Sequence, residues 1–282
     1  MILFVKICRL SVTLVASLAL GVNAAETPKP AEKPADTQVD TQVDKQIDIK
    51  HLSKKVDDVV VPLPNEVFGA LNKLGGVNWR EYVRNEKVSN FTERPRIALL
   101  LGAVIADGFI AVQAEDAPTV KEIGQRVLAL AKGIGVGNSI TPHAKAITEA
   151  ADKRNWVSVR QELDRTQNSV QQAMNEVHDE KLSQLVSLGG WLRGTEVLTA
   201  VVNKRYSEEG AELLHQPDLL SYFESRLQSM PEYNLKLLQD IQSALTEVRP
   251  LIDVGSAHIS PASVKRINEI TTKLGDAITK KS

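Results

Sequence analysis

Apolar side chains recur at helical spacing along most of the chain. One stripe places an apolar residue at every seventh position: Trp156, Leu163, Val170 and Val177. Residues 238–252 and 264–278 carry apolar side chains at steps of three and four. Such spacing gathers the apolar side chains on one face of an α-helix. No segment keeps the two-residue alternation of a half-buried strand, so the pattern predicts an all-α fold.

Prolines and glycines mark where the predicted helices begin and end. Isolated prolines suit the first turn of a helix, where the missing N–H has no partner to lose. We expect Thr141-Pro142 and Ser260-Pro261 to begin helices, each as an N-cap residue followed by the first helical residue. Gly133-Ile-Gly135-Val-Gly137 resembles part of a dinucleotide fingerprint, but it follows a helical pattern, so it predicts a helix end and a loop.

The fold prediction is an all-α, multi-helix bundle over residues 61–282. Residues 59–64, Val-Val-Val-Pro-Leu-Pro, are expected to be extended, with no evident strand partner. The predicted helices lie near residues 65–74, 77–84, 95–115, 118–133, 142–152, 155–180, 182–204, 208–215, 218–229, 232–249 and 261–279.

Residues 1–24 have the pattern of a secretory signal peptide. Two basic residues precede the apolar run Leu10–Leu20, and Val22-Asn23-Ala24 forms a cleavage site. As a helix this run is about 16 Å long, half the hydrocarbon thickness of a bilayer, so it predicts no permanent anchor. Cleavage after Ala24 also removes Cys8, the single cysteine, and with it thiol chemistry.

Residues 25–60 differ in composition and predict a disordered linker rich in Pro and Asp. Pro28, Pro30 and Pro34 lie among Glu, Lys and Ala, and a tetrapeptide repeat follows over residues 37–48, Thr-Gln-Val-Asp twice and then Lys-Gln-Ile-Asp. With one aliphatic residue in four, this segment buries too little apolar surface to offset its ordering entropy. A solvated tether is the prediction, and a spacer that holds the domain off a membrane or cell wall is the alternative.

The most apolar segment, Ile97–Ala114, contains one carboxylate, Asp107. The segment is long enough to cross a bilayer, but a charge near its centre costs about 2.5–3.5 kcal/mol on an insertion scale. A central helix of a bundle avoids this cost if Asp107 finds a hydrogen-bond donor. We therefore predict a buried helix, with a membrane-spanning helix as the alternative.

Small residues recur at four-residue spacing in two of the predicted helices. The positions are Ala98, Gly102 and Ala106 in the first helix, and Gly190 and Gly194 in the second. A glycine inside a helix costs about 0.5–1 kcal/mol relative to alanine, so these residues call for a packing reason. Small side chains at this interval let two backbones approach closely, and we predict that the two helices cross here.

The predicted crossing also supplies a partner for Asp107, either Arg193 in the second helix or another basic residue. One interpretation is a structural ion pair inside the core. The alternative is that Asp107, Arg193, Gln113 and Glu115 form the polar end of a ligand pocket. The sequence leaves both open.

Two runs resemble a family of exported bacterial α-helical proteins with no assigned activity. They are Ile105-Ala-Asp-Gly-Phe-Ile-Ala-Val-Gln-Ala and Leu188-Gly-Gly-Trp-Leu-Arg-Gly-Thr-Glu. The resemblance spans roughly residues 62–250. It implies a bacterial source and export, and it assigns no catalytic residue.

Composition and motifs argue against nucleic-acid binding, against several catalytic motifs and against a metal site. The chain has 34 basic and 35 acidic residues and 4% aromatic residues, which gives no excess of cations for phosphates and few platforms for bases. No P-loop, His-Glu-x-x-His, Gly-x-Ser-x-Gly or EF-hand run occurs. Glu212-Leu-Leu-His215 has the spacing of half a di-iron site but lacks a second half. No metal or cofactor is predicted, and His143, His178 and His258 are predicted to be surface or capping groups.

We therefore expect an exported binding or scaffolding module of the periplasm or cell envelope. Its partner is an unidentified envelope component or a small apolar ligand, with no nucleic acid and no stable transmembrane anchor. The alternative is an α-helical enzyme, or a carrier of an apolar ligand, with a pocket near Asp107 and Arg193. Trp79-Arg80-Glu81-Tyr82 is predicted to anchor a short helix, with a ligand contact as the alternative.

Overall fold

The computed structural model describes residues 54–56, 59–61, 66, 68–70, 72, 75–84, 91–233 and 235–280. All of them belong to one compact unit, Ile47–Ser282. The predicted signal peptide and residues 25–53 of the predicted linker lie outside the described residues.

The predicted all-α class is confirmed. The helices are α1 Arg94–Gln113, α2 Ala117–Gly133, α3 Gly137–Asp152, α4 Trp156–Glu176, α5 Glu180–Lys204, α6 Glu208–Glu212, α7 Pro217–Gln228, α8 Lys236–Ile252 and α9 Pro261–Thr279. A 3-10 helix, Trp79–Tyr82, stands where a longer helix was predicted over 77–84. A small antiparallel hairpin of β1 Lys54–Val56 and β2 Val59–Val61 pairs Lys54 with Val61, so the expectation that Val59–Val61 has no strand partner is wrong.

Helix α1 is the centre of the bundle. It packs against α2, α4, α5 and α9, while α3 covers α2 and α4, and α8 covers α7 and α9. By length and composition α1 could cross a membrane, but 94% of its apolar window is buried inside the fold. The apolar surface of α1 is therefore covered by other helices of the same chain.

Four similar links connect the first five helices. Each places one residue in the left-handed region: Glu115, Gly135, Arg154 or His178. At each link the following N–H bonds a carbonyl five residues back, for example Asp116 N to Ala111 O at 3.0 Å. This arrangement closes the last turn of each helix and reverses the chain over three residues. Gly135 is the position where the sequence predicted a helix end and a loop.

Several predicted boundaries were wrong. Helix α3 begins at Gly137 rather than at Pro142, and the Thr141 hydroxyl donates to the Gly137 carbonyl oxygen at 2.9 Å. Ser260 does cap α9, by accepting from the Ser263 N–H. Helix α4 ends at Glu176, so Val177 leaves the predicted stripe and is 57% exposed.

Helices α1 and α5 touch backbone to backbone at two glycines. A Cβ added to Gly102 would lie 1.8 Å from the Val186 carbonyl oxygen, and one added to Gly189 would lie 1.9 Å from that of Leu99. Only glycine fits at these two positions, because the obstacle is backbone that cannot rotate away.

The other predicted crossing residues differ in their surroundings. Ala98 and Ala106 are fully buried. A Cβ on Gly190 would lie 3.4 Å from the Gly102 carbonyl oxygen, which is close to ordinary contact. A Cβ on Gly194 would meet no heavy atom within 4 Å, so this residue is not at the crossing. Gly189, one position before the predicted Gly190, makes the closest approach.

The glycines of α5 provide a matched test of this contact. We expect Gly189→Ala to lower the free energy of unfolding by about 3 kcal/mol or more, because the methyl group overlaps a fixed carbonyl. Gly194→Ala, in the same helix, should raise it by about 0.5–1 kcal/mol, because alanine favours the helix and has room. Urea denaturation of both variants measures the difference. Equal stability of the two variants would contradict the crossing.

Candidate functional site

An ion pair between α1 and α5 lies in the core. Arg193 Nε donates to Asp107 Oδ1 at 2.7 Å. Asp107 is 1% exposed and Arg193 is 7% exposed, so solvent hydrates neither charge well. Asp107 Oδ2 accepts no hydrogen bond from the residues that the structure describes. Arg193 is therefore the donor on which Asp107 depends, and losing Arg193 leaves a buried unpaired carboxylate.

Arg193 links this pair to neighbouring parts of the fold. Its Nη1 lies 3.0 Å from Glu196 Oε2, and its Nη2 donates to the Tyr82 carbonyl oxygen at 2.7 Å. Arg84 Nη2 donates to the same Glu196 oxygen at 2.9 Å. Burial lowers the pKa of Arg193, but Asp107 and Glu196 raise that pKa by more, so it lies above its ordinary value. The network fixes the chain around Tyr82 against α5.

Gln113 and Glu115 lie apart from this pair. Gln113 is almost two helical turns beyond Asp107, or about 9 Å, and its Oε1 accepts from Asn72 Nδ2 at 2.7 Å. Glu115 is exposed in the link after α1, with φ of 53°. The structure therefore does not bring the four predicted side chains into one pocket. Gln113 and Glu115 lie further along the chain, at the end of α1 and in the link after it, and Asp107 is enclosed.

A groove of about 500 Å³ opens elsewhere, between the turn Gly75–Asn78, the 3-10 helix and the end of α5. Neither Asp107 nor Arg193 lines it. Its walls combine apolar, aromatic and charged side chains. They include Val77, Glu81, Tyr82, Val202, Lys204, Arg205, Tyr206 and Glu209. This mixture suits a small ligand with both an apolar and a polar part.

The charges in the groove are not all paired. Lys204 Nζ pairs with Glu81 Oε2, and this hydrogen bond lowers the pKa of Glu81. Arg205 has no ion-pair partner among the residues that the structure describes. Its guanidinium lies over Gly76, where an added Cβ would be 2.4 Å from Nη1. The groove thus offers an exposed cation whose position depends on the absence of a side chain at Gly76.

The predicted surface histidines have three different surroundings. His143 is half-buried between α3 and α4, and both of its ring nitrogens are hydrogen-bonded, so it is not a surface or capping group. His178 occupies the link after α4 with φ of 54°. His258 Nε2 lies 3.5 Å from Glu208 Oε2 on the surface.

The Glu212–His215 pair is a surface contact. His215 Nδ1 lies 3.2 Å from Glu212 Oε1, and both side chains are partly exposed. Within the described part of the chain, no group of three His, Cys, Asp or Glu side chains could hold a metal ion.

No family model, curated protein or solved structure matches the chain. The resemblance to exported bacterial helical proteins therefore stays a prediction, carried by the two sequence runs alone.

One carboxyl group in α4 has an unusual electrostatic environment. Burial and, to a smaller extent, the charge of Glu66 together raise the pKa of Asp164 to about 6. Asp164 Oδ1 is buried without a hydrogen-bond donor among the described residues. The charged form of Asp164 is therefore disfavoured in the folded protein.

This environment makes stability depend on pH. Because the folded pKa of Asp164 exceeds its ordinary value, its stabilising contribution is complete below about pH 4 and is lost as the pH rises through about 6. Asp164→Asn should therefore raise the free energy of unfolding at pH 7.5 by about 1–2 kcal/mol, a value reduced for partial exposure. At pH 4 it should change little.

Urea denaturation at the two pH values measures this effect, with Asp253→Asn as the control, since Asp253 is exposed after α8. The same change in stability at both pH values for Asp164→Asn would contradict the assignment.

Proposed function

We propose that this domain is an exported binding module of the periplasm or cell envelope, and that it holds a small anionic ligand in the groove beside Arg205. The signal-peptide pattern of residues 1–24 supports export. The groove geometry supports binding: Arg205 is an unpaired cation among the described residues, next to the aromatic side chains of Tyr82 and Tyr206.

The observation that carries the proposal is the position of Arg205 over Gly76. A guanidinium presents several N–H donors in one plane and can bind a carboxylate or phosphate through two parallel hydrogen bonds. Gly76 leaves the guanidinium space beside the backbone, and the Lys204–Glu81 pair borders the same groove. Val77 and Val202 supply apolar surface for the rest of a small ligand.

The buried pair supports a pocket less well. An enzyme or apolar-ligand carrier that uses Asp107 and Arg193 requires these groups to meet a ligand. Asp107 is enclosed, and Arg193 already contacts Asp107, Glu196 and the Tyr82 carbonyl. We therefore assign the pair to the scaffold and the groove to binding.

The test is a titration of the isotope-labelled protein, isolated from the envelope fraction of a host that exports it, where its N-terminus should be Ala25. The probes are inorganic phosphate and N-acetylglutamate, followed by amide NMR shifts. We expect saturable shifts confined to Gly75–Asn78 and residues 204–210. Arg205→Ala should weaken binding at least tenfold, because it removes the charged hydrogen bonds.

Lys273→Ala is the control, because it removes an exposed cation in α9 that does not line the groove. Shifts outside the groove, or equal affinities of the Arg205 and Lys273 variants, would overturn the proposal. If only one of the two probes binds, the result separates a carboxylate ligand from a phosphate ligand.

A further inference from the structure

A serine, a histidine and a glutamate form one hydrogen-bonded chain between α3 and α4. His143 Nδ1 lies 2.9 Å from Glu162 Oε2, and His143 Nε2 lies 2.8 Å from Ser169 Oγ. Glu162 and Ser169 are seven residues apart in α4, which places them two turns apart on the same face. His143 comes from α3 and bridges them.

The direction of the hydrogen bonds follows from the donors available. An ionised carboxylate only accepts, so the Nδ1 proton of His143 is donated to Glu162. Nε2 of the neutral ring is then an acceptor, and the Ser169 hydroxyl donates to it. Thr166, one turn earlier in α4, instead donates its hydroxyl to the Glu162 carbonyl oxygen at 2.7 Å, as hydroxyl groups inside helices commonly do. The Ser169 hydroxyl is thus directed toward a base.

The surroundings favour the ionised form of Glu162 and leave all three side chains partly exposed to solvent. The Glu162 and His143 side chains are 14% and 20% exposed, and Ser169 is half-buried. Burial raises the pKa of Glu162, but hydrogen bonds with His143 and Arg165 lower it by more, so that pKa lies below its ordinary value. Arg165 pairs with Glu162 and lies four residues before Ser169, on the same helix face.

We propose that Ser169 is a nucleophile toward small activated acyl esters, with His143 as its general base and Glu162 as the residue that orients the base. This site is separate from the groove and does not depend on the proposed binding function. Its logic is that of Ser-His-acid triads, which are recognised by geometry and not by sequence position.

The reaction balances without another reactant besides water. Ser169 Oγ attacks the ester carbonyl carbon and forms a C–O bond, while its proton passes to His143 Nε2. The bond to the leaving phenolate breaks, and the phenolate takes the proton from Nε2. Water then attacks the acyl-serine, passes a proton through Nε2 to the serine oxygen, and releases the carboxylic acid.

The position of Ser169 limits the rate. Its own N–H lies inside α4, so it is not available to stabilise the developing oxyanion. Arg165 is the cation on the same face that can do so. We therefore expect slow turnover of phenyl esters rather than rapid hydrolysis of unactivated ones.

The experiment labels the purified chain with an alkyl fluorophosphonate, which forms an O–P bond to a reactive serine hydroxyl and releases fluoride. We expect mass spectrometry to place the adduct on Ser169. His143→Gln should slow labelling by about 10²–10⁴-fold, the usual contribution of a general base. Glu162→Gln should slow it less and shift its pH profile, because that residue acts through His143.

Ser187 is the matched control, since it is another half-buried helical serine, and its hydroxyl donates to the Ser183 carbonyl oxygen at 3.3 Å. Ser187→Ala should leave labelling and p-nitrophenyl acetate hydrolysis unchanged, whereas Ser169→Ala should abolish both. No adduct on Ser169 of the unaltered chain would overturn the proposal. So would normal labelling of a His143→Gln variant that keeps its circular dichroism spectrum.

Discussion

The structure depends on one buried ion pair held across a close contact of two helices. Asp107 in α1 and Arg193 in α5 are paired at 2.7 Å, and the two backbones touch at Gly102 and Gly189. The glycines let the axes of α1 and α5 come close enough for the hydrogen bond between Arg193 and Asp107. Asp107 is the only carboxylate of α1, and it is buried at this contact. Helix α1 is apolar enough to cross a membrane, and this pairing allows it to be buried inside the fold together with its charged residue.

The candidate sites lie around this centre. Arg193 also holds the Tyr82 carbonyl, and Tyr82 forms one wall of the groove, so the buried pair positions the groove without lining it. The His143–Glu162–Ser169 chain lies on α3 and α4, the helices that pack outside α1 and α2. The rigid core and the partly exposed polar groups are thus separate layers, as in domains where a scaffold presents its functional residues at the surface.

The periodicity of the sequence was enough to predict the helical class and most of the helices, because apolar spacing decides which face is buried. The prediction that Arg193 or another basic residue pairs with Asp107 rested on the expected helix crossing and on the cost of a lone buried carboxylate, and the structure places Arg193 in contact with Asp107. Local sequence patterns did not predict features that depend on contacts between distant parts of the chain. The four-residue spacing selected Gly190 and Gly194, yet Gly189, one position earlier, makes the closest approach to backbone and Gly194 makes none. Three of the four similar links use Glu, Arg or His at positive φ, where glycine would have been the visible sign. The groove joins residues up to 135 positions apart, from Gly75 to Gly210, and the serine–histidine pair joins residues 26 positions apart, and neither separation belongs to a sequence motif.

A double-mutant cycle on the buried pair tests the central claim most directly, by measuring unfolding free energies of Asp107→Leu, Arg193→Met and the combined variant. Each single change should cost about 3–5 kcal/mol, because Arg193→Met leaves Asp107 without a donor and Asp107→Leu removes the most buried partner of Arg193. The combined variant should be more stable than the sum predicts by at least about 2 kcal/mol. Small and additive losses would contradict the account, since they would mean that the two charges do not stabilise one another in the core.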